Sequence, residues 1–96
     1  MMTPPDVPSL LPAVRHLEDQ HRFVMTVDGQ DCVCDYRLDG QRVVFNHTGV
    51  PGRLQGRGIA AELVRTALDW ARDRRLSVVP ACSYVAVYLA RHPEAA

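Results

Sequence analysis

Between Val50 and Ala60 the spacing of apolar residues changes from every second position to every third or fourth, so the chain must pass there from strand to helix. Before that boundary, segments 21–27, 31–38 and 41–48 alternate with a period of two and are separated by Asp28-Gly29 and Asp39-Gly40, which favour tight hairpins. The pattern predicts an antiparallel meander of three strands, with Phe23 and Met25, Val33, and Val43 and Phe45 pointing inward. A further edge strand is expected near Ala13 to His16. Beyond the boundary, Ala60, Leu63, Val64, Ala67, Leu68 and Ala71 make an apolar stripe on a helix over 57–74, with Glu62, Arg65, Thr66, Asp69 and Asp73 on its other faces. Leu76 to Val79 reads as a short buried strand ended by Pro80, and Cys82 to Arg91 as a second helix stopped before Pro93. A helical crossover usually returns a strand in parallel, so the order β-β-β-α-β-α predicts an α+β fold with a mixed sheet.

A chain of 96 residues fits one domain, able to bury roughly 60 to 70% of its extended-chain surface. Residues 13–96 are expected to form it, and 1–12, with Pro4, Pro5, Pro8 and Pro12, to be a flexible tail. Eleven basic residues balance eleven acidic ones, which removes the broad positive field of a non-specific nucleic-acid binder and makes any anion site local. All the basic residues are Arg, so a P-loop lysine, a Schiff-base lysine and self-acetylation on a lysine are excluded. Cys32, Cys34 and Cys82 are odd in number and fall in no CxxC or zinc-ligand spacing. Cys32 and Cys34 share a strand face and His16 and His21 flank a turn, but neither pair suffices for a metal. The start lacks a basic n-region, and no apolar run reaches the roughly 18 residues of a membrane span, so a cytoplasmic protein without a membrane partner is expected.

The boundary itself reads Gln55-Gly56-Arg57-Gly58-Ile59-Ala60. A glycine-containing turn between a strand and a helix leaves backbone N–H groups unpaired beside the positive end of the helix, an arrangement suited to a phosphate. Gly56 and Gly58 would admit a ligand to the backbone, and Ala60 is small enough for close packing. The turn follows a meander, lacks a third glycine at dinucleotide-fold spacing and lacks Gly-Lys-Ser/Thr, which disfavours both dinucleotide and nucleoside-triphosphate loops.

On these residues the chain resembles the GNAT superfamily of acetyl-CoA-dependent N-acetyltransferases, whose pyrophosphate loop reads Gln/Arg-x-x-Gly-x-Gly/Ala, here Gln55, Gly58 and Ala60. Within it the chain is similar to the small YjdJ-like branch, through His47-Thr48 and Val50-Pro51 before the loop and Pro80-x-Cys82-x-Tyr84-Val85-x-x-Tyr88-Leu89-x-x-His92-Pro93 after it. The resemblance implies a reduced GNAT fold that binds acetyl-CoA where two strands splay apart. Thr48, Val50, Leu54, Gln55, Gly56, Arg57, Gly58, Ile59, Ala60 and Tyr84 would contact the coenzyme, and His47, Cys82 and Tyr88 would serve catalysis. Gly49 stands where this branch often carries Glu, and the chain ends soon after His92-Pro93-Glu94, leaving little room for the last strands of larger members.

Each candidate has a chemical rationale and a plainer alternative. Cys82, at a predicted helix start, is placed for a lowered thiol pKa, or fills a strand-helix corner. His47 could deprotonate an amine or orient Cys82, or be merely exposed. Tyr84 and Tyr88 share a helical face where a phenol could protonate departing CoA, or pack as amphipathic aromatics. Arg57, ahead of Arg53, could meet phosphate, whereas Arg72, Arg74 and Arg75 suit a helix C-terminus. The expected activity is acetyl transfer to an unidentified amine, directly or through an acyl-cysteine. Competing readings are a non-catalytic CoA-binding or sensing module and a scaffold without cofactor. A monomer or a homodimer paired through the meander edge is expected.

Overall fold

The computed structural model describes residues 11–95. Strands β1 (Arg15–Leu17), β2 (Arg22–Val27), β3 (Gln30–Asp39) and β4 (Arg42–Gly49) precede helix α1 (Ile59–Asp73), strand β5 (Ser77–Pro80) and helix α2 (Ser83–Arg91). One five-stranded sheet has the order β1-β2-β3-β4-β5, antiparallel throughout except for the parallel β4–β5 pair. The architecture is the expected α+β fold with a mixed sheet. The anticipated edge strand is β1. The proline-rich segment lies outside the described residues apart from Leu11 and Pro12, and Leu11 already packs on the core.

Asp28 and Gly29 both take positive φ, +52° and +77°, the requirement of a type I′ hairpin. That turn pairs Val27 with Gln30, and hence Met25 with Cys32 and Phe23 with Cys34. Cross-strand partners share a face, so the residues of β3 that point into the core are Cys32, Cys34 and Tyr36. Val33 points the other way, opposite Val24, which corrects the expectation that it faced inward. The next turn is centred on Gly40-Gln41 instead of Asp39-Gly40, because Asp39 already pairs with Arg42.

Helix α1 lays Ile59, Leu63, Val64, Ala67, Leu68 and Ala71 on the inner face of the sheet, against Phe23, Met25, Tyr36, Val43 and Phe45; Val85 of α2 closes the same core. Both helices therefore cover one face. The sheet is irregular at one place that matters. Asp35 pairs with His47 and Tyr36 with Phe45, so Asn46 of β4 stands opposite no residue and forms a bulge. The β4–β5 ladder stops at Phe45–Pro80, and its last link is the Cys82 N–H on the Phe45 carbonyl at 2.8 Å. From there to Gly49, β4 keeps only β3 as a neighbour, and a wedge opens between β4 and the start of α2.

Candidate active site

The wedge and the start of α1 are joined by the loop that leaves β4. Pro51 begins a 3-10 turn at Gly52–Leu54, and the fully buried Leu54 anchors it. Gln55 Nε2 donates to the Val50 carbonyl at 3.1 Å, tying the loop back to the strand. Gly56 and Gly58 then adopt φ of +85° and +81°. A Cβ at either would meet nothing within 4 Å, so in this chain both glycines are required by the left-handed backbone. Gly58 is the N-cap of α1 and its carbonyl accepts the Glu62 N–H at 3.1 Å. Among the described residues no backbone acceptor takes the N–H groups of Gly56, Arg57 or Gly58. Together with the first-turn N–H groups of α1, which lack intrahelical acceptors, they form a concave donor array at the positive end of a helix.

This array closes one end of a cavity of about 420 Å³ lined by Thr48, Val50, Leu54, Gln55, Gly56, Gly58, Ile59, Ala60, Ala61 and Tyr84. Nine of the ten residues expected to contact a coenzyme are among them. Leu54 and Ile59 do so as parts of the core, at 0% and 1% exposure. Arg57 is the tenth and does not line the cavity. Its Nη1 lies 3.6 Å from Asp28 Oδ2, and Arg53 Nη1 lies 3.8 Å from the same oxygen, so the β2–β3 turn holds both arginines beside the loop.

At the wedge, half-buried Cys82 is the N-cap of α2, and its thiol donates to Thr48 Oγ1 at 3.5 Å. Burial pushes this thiol up, but once it ionises the Thr48 hydroxyl and the backbone N–H groups of Val85, Tyr84 and Thr48 donate to the thiolate, outweigh burial and leave the group below its ordinary value. Cys34, the cross-strand partner of Thr48, is fully buried, and desolvation raises its thiol to about 12. Of the two sulfurs around Thr48, only Cys82 is suited to nucleophilic chemistry. Cys32 is likewise buried and pushed up by desolvation.

The structure separates other residues that the sequence had grouped. Successive strand residues face opposite sides, and Thr48 points to Cys82, so His47 leaves β4 on the uncovered face with Asp35 and Arg22. The expectation that His47 orients Cys82 is thus corrected: Thr48 is the side chain on the thiol. Tyr84 borders the cavity, whereas Tyr88 lies one helical turn on, in a smaller depression of about 180 Å³ with Ala61, Tyr84, Val87, Arg91 and His92. Burial pushes the Tyr88 phenol up, which strengthens its hold on a proton. Ala61 and Asp28 were missed by the sequence reading. Ala61 carries a weak signal as a small residue in the first turn of the helix, but Asp28 was accounted for entirely by its turn.

Residues 22–96 match the family described as GCN5-related N-acetyl-transferase. The chain belongs to that family. It is similar to Protein NATD1 of Gallus gallus, at 32% identity over 83 residues that cover 83% of this chain and 76% of the relative. Protein NATD1 of Homo sapiens is likewise 32% identical, with 83% and 74% covered, and that of Xenopus tropicalis 30% identical, with 90% and 82% covered. Among solved structures, the solution structure of a GCN5-like protein from Staphylococcus aureus superposes with a TM-score of 0.71 at 22% identity, over 91% of this chain and 86% of the other. The five-stranded mixed sheet with α1 and α2 on one face is therefore the GNAT architecture in this chain. Among the described residues no helix is long and apolar enough to cross a membrane, and no group of three or more His, Cys, Asp or Glu could hold a metal ion.

Proposed function

We propose that the chain binds acetyl-CoA in the cavity between the Gly56–Gly58 loop and the wedge, and transfers the acetyl group to an amine. The observation that carries this reading is one cavity lined both by the glycines of an unpaired N–H array at a helix N-terminus and by Thr48, whose hydroxyl meets the Cys82 thiol at 3.5 Å. The array suits a pyrophosphate, and the open edge of β4 offers backbone groups to the amide-bearing arm of the coenzyme. Gln55 keeps the loop in register with the strand and Tyr84 walls the cavity.

Two routes of transfer suit this arrangement. In direct attack, the amine adds to the thioester carbonyl, the carbon–sulfur bond breaks, and a base takes the amine proton while a phenol on α2 supplies one to the departing sulfur. Tyr84, at the cavity wall, and Tyr88, in the adjoining depression, are the two phenols on that helix. In the covalent route, the Cys82 thiolate, stabilised by the Thr48 and helix N–H groups, adds to the thioester carbonyl and the bond to the CoA sulfur breaks, CoA leaving as a thiolate that takes a proton from solvent; the amine then attacks the acyl-cysteine, loses its proton to solvent, and Cys82 departs as the thiolate. Full turnover in Cys82→Ser would exclude an obligatory acyl-cysteine.

Calorimetric titration with acetyl-CoA tests the reading directly. Saturable binding supports it, and absence of binding at millimolar ligand sinks it. A second reading, a CoA-binding or sensing module without transfer, is favoured by Gly49 in the place of an acid and by the separation of His47 from Cys82. Acetyl-CoA binding with no CoA release across a broad panel of amines would select it. Both readings fit a protein of the cytoplasm, acting as monomer or homodimer, with no metal and with neither nucleic acid nor membrane as partner.

A further inference from the structure

Thr48 stands between two cysteines. On one side of β4 lies β3, where Cys34 is the cross-strand partner of Thr48 and points to the same helix-covered face. On the other side is the start of α2, where the Cys82 N–H is fixed on the Phe45 carbonyl at 2.8 Å. The Thr48 hydroxyl meets both thiols. Cys82 Sγ donates to Oγ1 at 3.5 Å, and the side-chain hydrogen bond acting on Cys34 is also with Thr48. A hydroxyl has one hydrogen to give and two lone pairs to fill. Cys34 is fully buried in the apolar core and desolvation raises its thiol to about 12, so near neutral pH it meets Thr48 as S–H, a donor. When Cys82 ionises, its proton passes to solvent and the lone pair it occupied on Oγ1 is released. The thiolate then needs the hydroxyl hydrogen. With the Cys34 S–H on the β3 side of Oγ1, the Cys82 side is where that hydrogen belongs.

We propose that Cys34 is a positioning residue: its buried S–H occupies the β3 side of Thr48 Oγ1 and so directs the Thr48 hydroxyl hydrogen across β4 onto the Cys82 thiolate. The relay has a fixed direction, from Cys34 through Thr48 to Cys82, and no covalent bond changes in it beyond the loss of the Cys82 proton. Hydrogen bonds in such a chain polarise one another, so removing the first weakens the second. Without the Cys34 donor, the Thr48 hydroxyl is released to turn its hydrogen toward backbone carbonyls, the common alternative for a threonine. The other groups around Cys82 do not take over this task. The N–H groups of Tyr84, Val85 and Thr48 are held by the backbone, and the Tyr84 phenol belongs to the cavity wall. His47 and Asp35 leave their strands on the opposite face, where Arg22 Nε and Nη2 engage the Asp35 carboxylate at 2.7 and 3.1 Å. The inference rests on the acetyl-transfer reading only for the use made of the thiolate, as nucleophile of the covalent route; the relay itself belongs to the free protein.

The test follows iodoacetamide labelling of Cys82 against pH in the full chain, read by mass spectrometry on the peptide that carries it. Cys34→Val removes the donor at similar volume, Cys34→Ala removes it without added bulk should Val fail to fold, and Cys34→Ser keeps a donor. In Cys34→Val or Cys34→Ala, labelling near neutral pH should slow about two- to fivefold, the loss of one weak hydrogen bond. The midpoint of the pH profile should move up while the rate on its alkaline plateau stays at the wild-type value. Cys34→Ser should retain the wild-type midpoint or lower it. In a Thr48→Val background the Cys34 substitution should have no further effect, because the relay is already cut. A wild-type midpoint in the donorless variants, a Cys34→Ser chain that shifts as they do, a loss confined to the plateau, or an equal shift in the Thr48→Val background would each overturn the proposal. Acylation of Cys82 by acetyl-CoA, read as a mass increase on the same peptide, separates the parent reading. Labelling in the expected order without acylation supports the relay and removes the covalent route, whereas acylation with Cys34 substitutions that leave the labelling profile unmoved overturns the relay alone.

Discussion

Gly58→Ala isolates the loop backbone as the source of the donor array. Gly58 sits at φ +81° and ψ 10° as the N-cap of α1, and a methyl group there would meet nothing within 4 Å. Steric contact with neighbours therefore contributes nothing, and the effect is that of an L-residue in left-handed conformation, roughly 1–2 kcal/mol. If the loop keeps its shape, that cost falls on stability and lowers Tm by about 4–8 °C per kcal/mol for a domain of this size. If the loop relaxes to negative φ, stability recovers, but the N–H groups of residues 56–59 turn away from the cavity and acetyl-CoA binding weakens, about tenfold for each 1.4 kcal/mol. The losses in Tm and in affinity, measured by thermal melts and calorimetry, should together account for at least about 1 kcal/mol. Gly52→Ala is the control, since Gly52 has no positive φ and open space around its Cα; it should leave Tm unchanged or raise it by an amount equivalent to about 0.4–1 kcal/mol. A Gly58→Ala chain with wild-type Tm and wild-type affinity would refute the argument that the left-handed glycine builds the site.

Three further perturbations probe the charges. Iodoacetamide should label Cys82 well before Cys34 in the native chain, and Thr48→Val should slow Cys82 labelling near neutral pH by raising its thiol; equal rates at both sulfurs would contradict the assigned environments. Asp28→Asn should tighten acetyl-CoA binding about two- to fivefold at low salt by freeing Arg53 and Arg57, with the gain fading as salt rises; a salt-independent or absent gain would show that these arginines do not reach the ligand. His16 stacks on Phe23 at 4.0 Å and shares a 2.7 Å hydrogen bond with the Tyr36 hydroxyl, and burial lowers its pKa from the ordinary 6.5. Below that value the unfolded chain binds the proton more readily than the folded one, so this contribution to stability is intact above pH 6.5 and is lost as pH falls toward the folded pKa. Denaturant midpoints from pH 7 to pH 5 should fall less in His16→Gln than in wild type, and parallel curves would count against the assignment.

Much of the fold was legible because local chemistry and period determine it. The stripe of α1 and the mixed sheet follow from apolar spacing and a helical crossover, while the helix expected over 57–74 runs from Ile59 to Asp73. The facing of β3 was misread: the I′ hairpin at Asp28-Gly29 places Cys32 and Cys34 inside, although Val33 is the more apolar choice by composition. Arg57 was assigned to the coenzyme because its position in the loop is visible in sequence while the competing carboxylate of Asp28 is 29 positions away.

By itself the sequence determined where the strand period gives way to a helix, and that the turn at this boundary carries glycines suited to an anion, since both depend on neighbours along the chain. Tertiary structure alone decided which reactive groups meet. A single unpaired residue, Asn46, and the end of the β5 ladder at Pro80 open the wedge; the register then turns Thr48 to Cys82 and His47 to the opposite face. Those relations depend on pairing across strands distant in sequence, where a shift of one residue reverses every side chain.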